Sequence, residues 1–149
     1  MSVTRMIKKF LLVAAVVLPV AGCGVFARAQ NFNHDTGPLI TLSGATAAAF
    51  SPDQSNPSTH AAKCVVNLTS VTGTVTVTIY GKDGGSGTYY AILASAALNS
   101  TGQTVLTVGP GLTASANAVA NDYLPALWRI GVAVATGPIT GTIGCSLVE

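Results

Sequence analysis

The chain predicts an all-β fold: a single antiparallel β-sandwich of about seven to eight strands, Ig-like or jelly-roll-like, behind an N-terminal hydrophobic leader helix. Three observations predict it. Apolar and polar residues alternate without a fault over residues 74–80, and large apolar residues recur at every second position over residues 128–134. Clusters of Gly, Pro, Asn and Asp punctuate the apolar segments at short intervals. Beyond the leader, no segment carries an apolar stripe at helical spacing.

The strands follow in order. Residues 39–43 are expected to start the domain. Residues 51–60, polar and holding Pro52 and Pro57, read as a mobile connection. In the next strand Cys64, Val66 and Leu68 share one face. Residues 70–73 are expected to form a hairpin turn into residues 74–80, where Val75, Val77 and Ile79 face the core and the threonines face water or a neighbour. The run from Gly81 to Gly87 is rich in residues that tolerate positive φ, so the chain turns and returns over residues 88–93. Residues 104–108 form another strand. Residues 114–122, rich in Ala and Asn without an apolar stripe, read as a loop with one or two helical turns. The next strand puts Trp128, Ile130, Val132 and Val134 on one face. Gly137-Pro138 turns the chain, and a last strand directs Ile139, Gly141, Ile143, Cys145 and Leu147 inward.

The first residues read differently. Arg5, Lys8 and Lys9 precede an apolar run over residues 10–21, followed by small residues. That is the plan of a bacterial export signal, and the run is short for a membrane span of about 20 residues. Two processing sites compete. Val20-Ala21-Gly22-Cys23 matches a lipobox, in which Cys23 is lipidated. Ala27-Arg28-Ala29 fits ordinary signal peptidase, with Gln30 the first mature residue. The division is therefore 1–29, signal peptide or lipoprotein leader, and 30–149, β-sandwich domain. The expected location is exported: periplasmic, cell-surface or secreted, with membrane contact only through the leader or a lipid on Cys23.

Charge excludes several function classes. Charged residues are only 8% of the 149, against about 25% in an average protein, which argues against a coiled coil or a charged disordered tail. The basic balance belongs to the leader. From Gln30 onward Lys63, Lys82 and Arg129 are outnumbered by Asp35, Asp53, Asp83, Asp122 and Glu149. No basic stripe remains for nucleic acid. Titratable groups are too few and scattered for a catalytic constellation, so the reading is non-enzymatic, with no cofactor and no metal.

Two cysteines remain after the leader, Cys64 and Cys145, an even pair suited to an oxidising compartment. A structural disulfide between them is expected, two buried thiols being the other reading. Both fall on core-facing strand positions, so a bridge is reasonable if their strands are neighbours.

The remaining chemistry is thin. Gly84-Gly85-Ser86-Gly87 lacks the Lys-Ser/Thr of a phosphate loop. His34-Asp35 precedes the first strand and reads as a solvated arm, and His60 lacks ligand partners nearby in sequence. Asp53, Asp83 and Asp122 occupy different loops without a calcium-loop series. Asn67-Leu68-Thr69 and Asn99-Ser100-Thr101 match a glycosylation pattern that matters only in a eukaryotic host. Trp128 has two readings. It is the main core aromatic, as its strand face favours, or it is a ligand platform with Tyr80, Tyr89 and Tyr90. In the core reading Arg129 points outward, toward Asp122 or a partner subunit.

One resemblance covers roughly residues 43–147. Ile92-Leu93-Ala94-Ser95-Ala96-Ala97, then residues 102–108, Pro110-Gly111-Leu112-Thr113-Ala114, residues 119–125 and Trp128-Arg129 keep an order and spacing similar to small β-sandwich structural proteins of tailed bacteriophages and prophages. Residues 53–57 and Gly81-Lys82-Asp83 extend it. The resemblance implies a virion component, such as a decoration or tail-associated subunit, that binds protein subunits, its own or a lattice. The leader and the two cysteines depart from that group; with the leader an artefact of start-codon choice, the virion becomes the expected location. A carbohydrate-binding or adhesive surface module is the alternative.

Overall fold

The computed structural model describes residues 38–58 and 60–148. The leader, its two processing sites and His34-Asp35 lie outside them. The described chain is all-β. Ten strands form in order: β1 (Ile40–Ala45), β2 (Ala49–Phe50), β3 (Gln54–Ser55), β4 (Ala61–Val71), β5 (Thr74–Lys82), β6 (Tyr89–Ala94), β7 (Gly102–Val108), β8 (Val119–Ala120), β9 (Leu127–Thr136) and β10 (Ile139–Val148). Three of them, β2, β3 and β8, are two-residue strands that short-range alternation does not reveal. No described helix is long and apolar enough to cross a membrane.

The strands build two sheets. One has the order β1-β10-β4-β7-β8; the other runs β2-β9-β5-β6, with β3 also paired to β9. All pairs are antiparallel except β7 with β8. The inward faces meet in one core of Val66, Leu68, Val75, Val77, Ile79, Leu106, Ile130, Ile139 and Ile143, among others. The alternation expected of residues 64–68 and 75–79 is observed, with Cys64, Val66, Val75, Val77 and Ile79 fully buried.

Residues 70–73 do not make the expected hairpin. β4 pairs with β10 and β7, whereas β5 pairs with β6 and β9, so the turn is an arch from one sheet to the other. The β9–β10 turn is a second such arch, and the two pack together. The Thr72 N–H and Oγ1–H both donate to the Pro138 carbonyl, at 3.3 and 3.1 Å. The approach is too close for side chains: a Cβ on Gly73 would lie 1.7 Å from the Thr136 carbonyl oxygen, and Gly137 adopts φ +66°.

Residues 51–58 and His60 are also more ordered than the composition of the segment predicts. Ser51 and Asn56 are buried and act as staples. The Ser51 N–H donates to the Ile130 carbonyl, and Ser51 Oγ accepts from the Ile130 N–H at 3.0 Å. Asn56 Nδ2 donates to the Leu124 carbonyl at 2.8 Å, and its Oδ1 accepts from the His60 N–H at 3.0 Å. Buried polar side chains are retained where their hydrogen bonds are satisfied, and these fix the segment along β9. Residues 114–122 hold no helix. They form a turn with Asn117 at φ 60°, then β8 beside β7.

Cys64 and Cys145 are directly opposite in the β4–β10 register and form a disulfide, with Cα atoms 4.0 Å apart. The bridge joins two adjacent strands of one sheet across a sequence separation of 81. It fits an oxidising environment.

Candidate binding face

The outward face of the β2-β9-β5-β6 sheet carries a group of aromatic and charged side chains in mutual contact. Register places them. Phe50 of β2 lies opposite Gly131 of β9; Tyr80 of β5 lies opposite Arg129; Lys82 of β5 lies opposite Tyr89 of β6. Residues opposite one another share a sheet face, so the strands deliver these side chains to one surface.

Arg129 is the centre of the group. Its guanidinium carbon lies 3.4 Å from the ring centroid of Tyr89, 4.3 Å from that of Phe50 and 6.0 Å from that of Tyr80. The electron-rich ring faces attract the cation, and the planar guanidinium stacks on them. Phe50 is 53% exposed, so one wall of the slot stands free in solvent. Phe50 and Tyr80 meet with centroids 6.2 Å apart. Gly131 leaves room for them: a Cβ there would lie 2.6 Å from Tyr80 Cε2 and 2.8 Å from Phe50 Cε1.

A second layer fixes the Tyr89 wall. Its hydroxyl donates to Asp53 Oδ1 at 2.6 Å, while Lys82 Nζ donates to Asp53 Oδ2 at 2.7 Å. Lys82 also stands 5.2 Å from the Tyr89 centroid. The Lys82 hydrogen bond, then that of Tyr89, holds the Asp53 carboxyl below its ordinary range. The same bond to Asp53 raises Lys82. The pair is partly exposed and screened, so it orients Tyr89 more than it stabilises the fold. Asp83, in the β5–β6 turn, is lowered by the Ser86 hydroxyl and backbone N–H, which donate to its Oδ2 at 2.6 and 2.7 Å. It caps the turn and stands outside the slot.

The four proposed platform residues divide. Tyr80 and Tyr89 lie at the slot. Tyr90 points to the other side of its strand, over Gly81 and beside Pro125, where a Cβ on Gly81 would lie 2.6 and 2.8 Å from them. Trp128 is 2% exposed and sits in the core. It therefore supplies no surface platform, because alternation along β9 turns it inward and Arg129 outward. Arg129 points outward as expected and lies against Phe50 and Tyr89; of its two expected partners, Asp122 or another subunit, Asp122 forms no ion pair with it. Phe50 and Asp53 are members that sequence reasoning missed. Among the described residues, no three His, Cys, Asp or Glu side chains converge as a metal cluster.

Fold and face define a two-sheet β-sandwich with an exposed aromatic–arginine slot on one sheet. The chain matches no protein-family model, no curated protein and no solved structure.

Proposed function

We propose that the protein is an exported, non-enzymatic assembly module that contacts other protein subunits through the Phe50–Arg129–Tyr89 face, in the manner of phage virion decoration subunits. One observation carries the reading: Arg129 is held between two aromatic rings on an exposed sheet face. Arg and the aromatics are the residues that concentrate binding energy at protein interfaces. The slot is already built, so a partner meets ordered side chains and loses less entropy on contact. The disulfide supports the exported part, and the motif order from residue 43 to 147 supports the structural-protein part.

A carbohydrate-binding module is the competing reading, and it loses its central anchor with Trp128 in the core. The two are separated by sedimentation velocity and a glycan array on the wild-type and Phe50→Ala proteins. The assembly reading expects concentration-dependent association that Phe50→Ala weakens, and no glycan signal. Glycan binding lost in Phe50→Ala with a monomer throughout would replace it.

A further inference from the structure

The charges of the described residues are few enough to follow singly. The cations are Lys63, Lys82 and Arg129; the acids are Asp53, Asp83 and Asp122. Lys82 and Tyr89 occupy both oxygens of Asp53. Ser86 occupies Asp83 with two bonds. Asp122 is exposed, and its only bond is from the Tyr123 N–H to Oδ1 at 2.7 Å. Among the described residues it is the acid with no side-chain partner.

Arg129 is its counterpart. No carboxylate among the described residues lies within ion-pair distance of it, and its Nε is buried without an acceptor. Asp53 acts on it through space, without an ion-pair contact. Asp53, Lys82 and Arg129 together carry one net positive charge. A guanidinium fixed between rings presents a planar fork of donors, the geometry that a carboxylate matches with two parallel hydrogen bonds.

We propose that a second copy of this chain occupies the slot, with Asp122 of one copy seated on Arg129 of the other. The inference rests on the assembly reading and names its partner. Charge complementarity selects Asp122, and the surroundings match as well. Asp122 adjoins Tyr123, which is 67% exposed, and lies near Leu127 in the chain, which is 41% exposed. Each side thus carries an exposed aromatic ring beside its charge, Phe50 at Arg129 and the chain neighbour Tyr123 at Asp122. A two-fold dimer forms the pair twice; an open arrangement links copies head to tail.

Sedimentation velocity over a concentration series tests it, using the purified protein, Arg129→Asp, Asp122→Arg, their equimolar mixture, and the neutral variants Arg129→Gln and Asp122→Asn. Circular dichroism establishes that each variant is folded. The expected result is association of the wild type, weakened about tenfold or more in every single variant and by added salt, and restored in the mixture of the two reversed variants. Wild-type association unchanged in Asp122→Arg and Asp122→Asn overturns the inference and leaves the assembly reading standing. A wild type that stays monomeric at every concentration overturns the inference and the assembly reading together.

Discussion

The guanidinium of Arg129 lies between the rings of Phe50 and Tyr89, with centroid distances of 4.3 and 3.4 Å. Its chain neighbour Trp128 is buried on the opposite face of the same strand. One step along β9 therefore separates a residue that holds the fold from one that serves the surface, and substitutions at the two positions should have opposite signatures.

Trp128→Ala empties a large core site. The expected loss is about 3–5 kcal/mol of stability. Urea denaturation checks it: a midpoint close to wild type would place Trp128 outside the core.

Phe50→Ala removes an exposed wall and leaves the core intact. The lost ring–cation contact is worth about 0.5–1 kcal/mol, so the denaturation midpoint should move little while association weakens. Large destabilisation would make Phe50 a structural residue.

The disulfide should contribute about 2–4 kcal/mol, because it closes a long loop in the unfolded chain. The Cys64→Ser, Cys145→Ser protein should unfold at lower urea than the oxidised protein. Intact mass with and without reductant checks the bridge itself. Free thiols in protein taken from its native host would contradict the oxidising compartment.

The glycines predict a graded series. A Cβ on Gly73 would collide with the Thr136 backbone, so Gly73→Ala should disrupt the paired arches and cost several times more stability than Gly131→Ala. At Gly131 the nearest atoms a Cβ meets belong to the side-chain rings of Tyr80 and Phe50 rather than to backbone; the rings swing aside, and association suffers more than stability. Gly144 has open space around its Cβ position, so Gly144→Ala should behave as wild type. Thermal denaturation of the three variants orders them.

Asp53 gives a pH dependence. Its carboxyl is lowered in the folded state, chiefly by Lys82 and then by Tyr89. The unfolded chain therefore takes up the proton more readily, and stability from this group is present above about pH 4 and lost as pH falls through the folded value. Lys82 is raised by the same partner, so its part persists to alkaline pH and is lost only above the ordinary lysine value. The stability difference between wild type and Asp53→Asn should shrink below about pH 4. A difference that stays constant through that range contradicts the Asp53 bonds.

Much of the fold was legible because it is written in short-range alternation. Residues 74–80 and 64–68 declare their inward faces, and the inward placement of Cys64 and Cys145 anticipated the bridge. Alternation is silent on which strands pair, so the turn at residues 70–73 could not be told from an arch between sheets. The binding face was harder to read. Phe50 lies on a two-residue strand and reaches Arg129 only because β2 docks on β9. That docking depends on Ser51 and Asn56, whose polar, proline-flanked sequence resembles a loose connection. Their bonds to the backbone of Ile130 and Leu124 are long-range and leave no periodic trace. Trp128 was legible as core from its strand face. Asp53 was not legible as the partner of Lys82 and Tyr89, since the three residues come from separate elements.

The Phe50–Arg129–Tyr89 face is the proposed contact surface. Hydroxyl-radical footprinting of the wild-type protein at dilute and concentrated conditions tests it most directly. Phe50 and Tyr89 should become protected as concentration rises, while Val105, exposed on the other sheet, stays equally reactive. Equal labelling of Phe50 and Tyr89 at every concentration, or protection confined to Val105, would contradict it.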